Sequence, residues 1–422
     1  GDGFAGADFQ FLAANVVHRQ TGQTLFAPYA IRKFQGVPVA FIGMTLEGTP
    51  TIVSPGGIAD YRFLDEADTV NALVPELRRQ GVEAIVVLVH EGGTPTALDI
   101  NGCSGVSGPI VDIVERLDDA VDLVISGHTH QPYNCVIDGK PVTSAFSFGR
   151  LVTDIDLRIN RHSGEVTTVS INNRIVTRDV ARDPGITALI ERYTTLAEPI
   201  ANRPIGHITA DLLRAQEPDG EQVLGNVIAD AQLAATAAPG TGDAVVAFMN
   251  PGGVRADLIY ASSAAGEGDG VVTYGEAFTV QPFGNSLVTM TLTGAQIEQM
   301  LEQQFCGTNS PANGGFARVL SPSAGFSYTW SQSAAGAADC STADAVDPAS
   351  IMLNGTAIDL TATYRVTVNS FLADGGDGFT VLVEGTDRLG GAVDVDAFEA
   401  YLIAAEPTGI SPPPLDRITM AP

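Results

Sequence analysis

The stretch Asp122-Leu-Val-Ile-Ser-Gly-His128-Thr-His130 decides the fold of the first half of the chain. An apolar run ends at a glycine, and two histidines follow with one residue between them. Such a run is typical of a buried strand, and the glycine lets the chain turn sharply where the strand ends. A second run, Ala84 to Val89, leads directly into His90-Glu-Gly-Gly93. We predict that both loops lie at the carboxyl ends of strands, where open α/β sheets place ligands.

The elements around these runs predict an α/β first half. A helix from Ile110 to Leu117 separates the two runs, which makes a βαβ unit and a parallel sheet. Apolar spacing predicts another helix from Ala67 to Gly81, and Tyr29 to Met44 predicts a hairpin. Thr143 to Val169 alternates like antiparallel strands.

The second half has a different composition and predicts a mixed α+β domain. A helix from Pro184 to Asn202 stands at the junction. Further along, the pattern predicts a helix over Leu224 to Leu233 and a buried strand over Ala244 to Asn250. Thr291 to Gln304 is predicted to begin as a strand and continue as a helix from Thr293, and Thr363 to Ser370 is predicted to be a strand. Ser411 to Leu415 is predicted to be an extended tail.

Size and charge limit the classes of partner. The 422 residues predict two domains, and no apolar run approaches the roughly 18–20 residues of a membrane helix. The net charge is −27, and Lys33 and Lys140 are the only lysines. A surface this acidic argues against nucleic acid and anionic membranes as partners, so an anionic substrate needs a local cluster of arginine or metal.

The four cysteines form two local pairs in sequence, Cys103 with Cys135 and Cys306 with Cys340. The chain has no CxxC motif, which disfavours a zinc knuckle. We predict two disulfides in an exported protein, which would be secreted, periplasmic or at the cell surface. The alternative is four unrelated buried thiols.

His90, His128 and His130 are the candidate metal ligands. Neutral imidazole is a good ligand for zinc, manganese or iron, and loops after parallel strands can converge on one ion. The alternative for any one of them is a structural histidine. Four aspartates are near in sequence but lie on the helix or before the strand, so a solvated face is expected for them: Asp112, Asp118, Asp119 and Asp122.

Three stretches of the second half are candidates for substrate binding. Asn250-Pro-Gly-Gly-Val-Arg255 follows a buried strand and offers an arginine fork for phosphate. Gln281-Pro-Phe283-Gly-Asn285 and the stretch from Phe371 to Phe379 place aromatics beside glycine-rich chain, where Phe283 and Phe371 could stack on a base. Asp377 could accept hydrogen bonds from ribose hydroxyls. Glycine-rich turns with core phenylalanines and a surface arginine are the alternative.

Together these motifs resemble the bacterial 5′-nucleotidases, which include the UDP-sugar hydrolases, and the resemblance covers nearly the whole chain. Leu88-Val-His90-Glu-Gly92 and Gly127-His128-Thr-His130 are similar to the later metal motifs of the family's calcineurin-like metallophosphoesterase domain. Four stretches are similar to its substrate-binding domain: Asn250 to Arg255, Val280 to Asn285, Leu292 to Gln296 and Asn369 to Phe379.

The resemblance implies a role for each matching residue. His90 and His128 would ligate one of two divalent ions, zinc, manganese or similar, and His130 would serve the other. Phe283 and Phe371 would sandwich the base. The remaining substrate-binding residues would be Asn250, Arg255, Asn285, Gly376 and Asp377. The implied fold is an incomplete metallophosphoesterase β-sandwich flanked by helices over residues 1–180, a linker helix over 181–203, and a 5′-nucleotidase C-terminal domain over 204–420.

The chain departs from the family pattern in two places. We find none of the opening Asp-x-His, Gly-Asp and Gly-Asn-His-Asp/Glu motifs, and we expect them upstream of Gly1, so no catalytic residue of the family is expected here. Many relatives also carry an arginine three residues before the glutamate of a Glu-x-x-Leu-Gly-Asn helix start. Here that place before Glu221 is Pro218, and Arg214 is the substitute candidate for phosphate.

The expected function of the intact protein is metal-dependent hydrolysis of nucleoside 5′-phosphates or nucleotide sugars. Two metals would activate water and stabilise the developing charge. The alternatives are a nucleotide- or nucleoside-binding protein without catalysis and a 2′,3′-cyclic nucleotide phosphodiesterase.

Overall fold

The computed structural model describes residues 6–51, 53, 55–262, 265–313 and 315–422. The chain divides into two compact units, Gly1–Ala181 and Arg182–Pro422. Each unit has a hydrophobic core of its own.

A mixed sheet organises the first unit. The strands of this unit are β1 (Val16–His18), β2 (Tyr29–Phe34), β3 (Val37–Met44), β4 (Tyr61–Phe63), β5 (Ala84–Val89), β6 (Leu123–Ile125), β7 (Pro132–Ile137), β8 (Lys140–Ala145), β9 (Leu151–Ile159) and β10 (Val166–Ile175). Its α-helices are α1 (Glu66–Arg79) and α2 (Pro109–Arg116). The sheet has the order β2-β3-β5-β6-β8-β7. β3, β5, β6 and β8 run parallel, and an antiparallel strand closes each edge. The predicted βαβ unit is confirmed as β5-α2-β6.

The two faces of the sheet are covered by different layers. On one face, Ile85 and Val87 of β5 pack in a core with residues of α1 and α2. On the other face, Ala84 and Val86 pack against the β9-β10 hairpin through residues such as Leu157. The alternation along β5 follows from the two-residue period of a strand. The first unit is therefore a β-sandwich flanked by helices, as predicted.

The structure corrects the expectation of a solvated face at Asp122. Its carboxyl is partly buried, and Oδ2 accepts a hydrogen bond of 2.9 Å from the amide of Ile85. Burial raises the pKa of Asp122 to about 6. Asp112 and Asp119 are exposed, as predicted.

The two lysines of the chain have different environments. Lys33 is exposed on β2. Lys140 is only 4% exposed, and its Nζ lies 3.0 Å from a carboxylate oxygen of Asp138. Both lysines belong to the first unit, so arginine is the one residue type with a permanently charged basic side chain in the second unit.

The second unit is a mixed α+β structure. Its strands are β11 (Pro204–His207), β12 (Val246–Met249), β13 (Val271–Thr273), β14 (Ser286–Thr293), β15 (Ser321–Pro322), β16 (Phe326–Ser331), β17 (Met352–Leu353), β18 (Thr356–Ala357), β19 (Thr363–Asn369), β20 (Thr386–Val393) and β21 (Ile418–Ala421). Its α-helices are α3 (Pro184–Ala201), α4 (Val223–Thr236), α5 (Tyr274–Val280), α6 (Gly294–Glu302), α7 (Ser370–Ala373) and α8 (Asp394–Ala404). The larger sheet has the order β15-β12-β19-β14-β20, and a smaller one has the order β18-β17-β16-β21.

The predicted change from strand to helix at Thr293 is confirmed. β14 ends at this residue, and its hydroxyl caps α6 by accepting from the amide of Gln296. The Gln296 side chain bonds back to the Thr293 amide, which completes a capping box.

The predicted extended tail continues into regular structure. Residues 411–415 are irregular, but β21 follows them and pairs in parallel with β16. Arg417 is 7% exposed and makes two hydrogen bonds of 2.8 Å to the carboxylate of Asp230 on α4. The end of the chain is therefore fixed in the second unit.

The helix α3 is exposed along most of its length. Asp183 caps its first turn, and none of its residues is buried. Its predicted apolar stripe is exposed: Ile186, Leu189, Ile190, Tyr193 and Leu196. Within the described part of the chain, no helix has the length and apolarity needed to cross a bilayer.

Both predicted disulfides are present. Cys103 bonds to Cys135 in the first unit, and Cys306 bonds to Cys340 in the second. Each bridge closes a local excursion of the chain, with sequence separations of 32 and 34 residues.

Candidate functional site

The His90 and His128 loops lie side by side in the first unit because β5 and β6 are parallel neighbours. His90 directly follows β5, and His128 follows β6 by three residues. The hydroxyl of Thr129 donates to the carbonyl oxygen of Gly93 at 2.8 Å, which joins the loops. A Cβ at Gly92 would lie 2.2 Å from the carbonyl oxygen of Gly127, so only glycine permits this approach.

The imidazoles of His90 and His128 are placed as a pair. His90 Nε2 and His128 Nδ1 are 3.4 Å apart, and both side chains are exposed. In a tetrahedral site with metal–nitrogen bonds of about 2.0–2.1 Å, two imidazole nitrogens lie roughly 3.3–3.4 Å apart. The separation of these two nitrogens therefore fits two ligands of one divalent ion.

His130 does not join that pair in one cluster. In the residues that the structure describes, the group of three side chains whose possible ligand atoms all lie within 4.8 Å of one another is Glu47, Asp65 and Glu66. The ring of His130 instead packs against Phe148, with centroids 5.5 Å apart. His128 and His130 have φ values of +65° and +54°. Non-glycine residues rarely adopt this region, and such residues cluster at functional sites.

A buried carboxyl follows His90 in the chain. Glu91 is 8% exposed, and its Oε1 accepts from the amide of Gly92 at 2.7 Å. Burial raises the pKa of Glu91 to about 7. Tyr133 also holds the His90 loop, because its buried hydroxyl accepts a hydrogen bond from the amide of Gly93 at 3.2 Å.

In the second unit, the topology brings three of the four predicted substrate motifs together, whereas Leu292 to Gln296 lies at the opposite end of β14. β12 and β19 are parallel neighbours, and β14 is antiparallel to β19. The ends of β12 and β19 and the beginning of β14 therefore lie at one edge of the sheet. There Asn369 Nδ2 donates to Asn250 Oδ1 at 2.9 Å, and Ser370 Oγ donates to Asn285 Oδ1 at 3.4 Å.

Asp377 lies at the centre of this edge and is 6% exposed. Asn250 Nδ2 donates to its Oδ2 at 2.7 Å. Its Oδ1 forms an ion pair with Arg318. Burial lowers the pKa of the Arg318 guanidinium. A buried carboxylate is thus held by an amide on one oxygen and a cation on the other.

Phe371 lies against the Asp377 loop. A Cβ at Gly376 would lie 2.5 Å from Cζ of Phe371, so the glycine allows the ring to contact the backbone. Phe371 is partly buried and packs on the core of the unit. This contact explains why glycine precedes the aspartate.

The arginines predicted for phosphate lie near one another. The Arg255 guanidinium carbon is 5.7 Å from the ring centroid of Phe283, and Phe283 is 59% exposed. Arg214 Nη1 donates to the carbonyl oxygen of Val254 at 3.4 Å. The structure therefore brings Arg214 beside Arg255, and both are exposed.

Two residues of the Asp377 network were missed from the sequence. Arg318 follows the Gly307–Gly315 loop, and Asn309 lies within it. The exposed Phe316 lies under Arg318, whose guanidinium carbon is 4.9 Å from the ring centroid. Arg318 follows glycine-rich chain closely, as Arg255 does, and this was the signal available.

The Glu221-to-Asn226 motif has a structural role here. Glu221 is fully buried, and burial raises the pKa of its carboxyl. Its Oε1 accepts from Asn226 Nδ2 at 2.6 Å, and its Oε2 accepts from the amides of Arg417 and Ile418 at 3.2 Å. The motif therefore anchors the chain before β21.

Residues 204–384 match the family described as "5′-nucleotidase, C-terminal domain". This part of the chain belongs to that family. The match contains every substrate motif described above, from Arg214 to Asp377. The family resemblance inferred from the sequence is confirmed for the 5′-nucleotidase C-terminal domain.

Two longer bacterial proteins match almost the whole chain. Endonuclease YhcR of Bacillus subtilis is 30% identical over 403 residues, which make up 95% of this chain and 30% of that protein. Cell wall protein Lmo0130 of Listeria monocytogenes is 32% identical over 408 residues, which make up 92% of this chain and 49% of that protein. The chain thus spans less than half the length of these relatives.

A solved structure extends the likeness to both units. The 5′-nucleotidase precursor from Thermus thermophilus aligns with a TM-score of 0.74 and 28% identity. The alignment covers 98% of this chain and 78% of that one. The predicted fold class, a metallophosphoesterase fold followed by a 5′-nucleotidase C-terminal domain, is confirmed.

Proposed function

We propose that this chain provides the nucleotide-binding domain and part of the metal site of a 5′-nucleotidase-type metallophosphoesterase. The observation that carries the proposal is the meeting of three motif loops at one edge of the sheet, where Asn250 also holds the Asp377 carboxylate. The match of residues 204–384 to the 5′-nucleotidase C-terminal domain supports the same activity. The substrates are nucleoside 5′-phosphates or nucleotide sugars.

Each part of the second unit's site recognises a different part of a nucleotide. The Asp377 carboxylate accepts hydrogen bonds from ribose hydroxyls, since each of its oxygens keeps an acceptor position beside its protein partner. The exposed ring of Phe283 and the ring of Phe371 stack on the base. Arg255 and Arg214 offer planar forks to phosphate oxygens. Asn285 holds the Phe283 loop beside α7.

His90 and His128 of the first unit hold a divalent ion, either zinc or manganese. The 3.4 Å between their nitrogens supports this. Such an ion would polarise a phosphoryl oxygen and stabilise the charge that develops on it. In the same proposal His130 serves a second ion. The loops keep the imidazoles in place through the Thr129–Gly93 bond.

The protein acts outside the cytoplasm. Both of its disulfides join residues of the same unit, and disulfides persist in oxidising compartments. Lmo0130, named a cell wall protein, matches 92% of this chain. Alkylation of intact producing cells followed by mass spectrometry should find all four cysteines oxidised in the mature protein, whereas free thiols would contradict this localisation.

Calorimetric titration of adenosine and AMP, with and without manganese or zinc, tests the binding proposal. We expect adenosine to bind without metal, and AMP to bind more tightly than adenosine when metal is present. If adenosine fails to bind, the nucleoside site is wrong. Phosphate release from AMP, UDP-sugars and 2′,3′-cyclic nucleotides should then be compared.

A second candidate is nucleotide binding without catalysis. It is favoured by the confinement of the Asp377 network to the second unit, since, among the described residues, its hydrogen bonds involve no histidine of the first unit. Adenosine binding with no phosphate release from any nucleotide, at saturating metal, would support this candidate over the hydrolase.

A further inference from the structure

The backbone at Asp377 has a conformation that needs support. Its φ is +56°, in the left-handed region that non-glycine residues adopt only rarely. The flanking Gly375 and Gly378 also have positive φ values. The side chain can face the motif edge only while this turn persists.

Asn309 holds the turn from the opposite side. Its side chain is 1% exposed, and Nδ2 donates to the carbonyl oxygens of Asp377 and Gln303, both at 2.8 Å. The neighbouring Thr308 packs on the same turn, since a Cβ at Gly378 would lie 2.3 Å from Thr308 Oγ1. One buried amide therefore ties the Asp377 backbone to the end of α6.

The Cys306–Cys340 disulfide holds Asn309. The Asn309 amide donates to the carbonyl oxygen of Cys306 at 3.0 Å, so the bridge lies one short turn away. The loop bonds to the segment of Cys340 at two further points. The amide of Gly307 donates to the carbonyl oxygen of Ala337 at 3.2 Å. Asn313 Nδ2 donates to the carbonyl oxygen of Ala338 at 2.8 Å.

We propose that Asn309, held in place by the Cys306–Cys340 disulfide, is a positioning residue for Asp377. This inference rests on the proposed recognition of ribose by Asp377. Without Asn309 or the bridge, the turn is free to relax from its left-handed conformation and the carboxylate moves from the ribose hydroxyls. The bridge then acts on recognition of the sugar more than on stacking of the base, since the Phe283 ring belongs to another loop.

Two ligands separate these effects. Adenosine carries the 2′ and 3′ hydroxyls, and 2′,3′-dideoxyadenosine lacks both while keeping the base. Calorimetry on the full chain should compare Asn309→Leu, Cys306→Ser/Cys340→Ser and Asp377→Ala with the unmodified protein. Cys103→Ser/Cys135→Ser, which removes the bridge of the first unit, is the matched control.

We expect Asn309→Leu and loss of the second bridge each to weaken adenosine binding by about tenfold, the worth of one or two hydrogen bonds. Dideoxyadenosine binding should change less than about twofold in both, and the control should bind both ligands normally. Equal weakening for both ligands, or no weakening, would overturn the positioning role. If Asp377→Ala keeps the preference for adenosine, the proposed ribose role itself is wrong and this inference falls with it.

Discussion

Arg318 and Asp377 form a buried ion pair where three motif loops of the second unit meet. The side chains are 21% and 7% exposed. If one partner of the pair is removed, the charge of the other stays in a site that water solvates poorly. This destabilises the folded state. The stability of the second unit therefore depends on Asp377, the residue proposed to bind ribose.

Breaking this pair should destabilise the second unit. We expect Arg318→Gln and Asp377→Asn each to lower the free energy of unfolding by about 2–4 kcal/mol, and the double variant to lose less than their sum. Trp330 is the only tryptophan of the chain and is buried in this unit, so its fluorescence during urea unfolding reports the effect. Asp374→Asn, which loosens an exposed pair with Arg388, is the control and should cost less than about 1 kcal/mol. Additive losses would contradict the coupling.

The aromatic rings should dominate nucleoside affinity. We expect Phe283→Ala and Phe371→Ala each to weaken adenosine binding by about 1–3 kcal/mol, the usual worth of one stacked base. Phe278→Ala removes a similarly exposed ring of α5 (47% exposed, against 59% for Phe283) and should leave binding unchanged. Titration calorimetry measures all three. Full affinity in both of the first two variants would place the base elsewhere.

Metal binding should depend on His90 and His128 together. Because their nitrogens are placed as two ligands of one ion, His90→Ala and His128→Ala should each lower the affinity for manganese or zinc by at least about tenfold. His162→Ala, in the exposed turn after β9, is the control. His130→Ala should have a smaller effect on the first ion. Equal effects of all four substitutions would indicate nonspecific binding.

The first unit should lose stability as pH rises through about 6 because of Asp122. The pKa of Asp122 is raised in the folded state, so folding favours the protonated carboxyl. Ionisation therefore costs folding free energy. This cost is absent below about pH 4 and complete above the folded pKa. Asp122→Asn keeps an acceptor for the Ile85 amide. At pH 7.5 it should raise the free energy of unfolding by on the order of 1–2 kcal/mol, a value reduced for partial exposure.

Hydrogen exchange of the β5 amides measures the change in the free energy of unfolding of the first unit. The gain from Asp122→Asn should vanish near pH 4, and the exposed Asp60→Asn should show no gain at any pH. A constant gain across this range would rule out titration of Asp122 as its cause.

The features that the sequence predicted correctly depend on local patterns. Apolar runs ending in glycine located β5 and β6, and the capping residues at Thr293 marked the change from strand to helix. The cysteine pairs were predicted because each lies within one excursion. Residues at the ends of adjacent strands, such as Asn250, could be grouped because parallel strands end at the same edge.

The features that were missed depend on long-range packing. Arg318 meets Asp377 across 59 positions of sequence, and no local periodicity records that contact. The burial of Asp122 depends on the β9-β10 hairpin that covers its face of the sheet. The β21 strand was missed because its short run follows three prolines, and it exists only through pairing with β16 and the Glu221 carboxylate.

The distribution of lysine confines chemical attachment through side-chain amines to the first unit. Amine-reactive reagents need an accessible, uncharged amine, and the Lys140 amine is buried beside Asp138. Among the lysine side chains, Lys33 is therefore the one that a dye or a sensor surface should capture. The second unit has no lysine, so its side chains should remain unmodified while the chain is immobilised for ligand measurements.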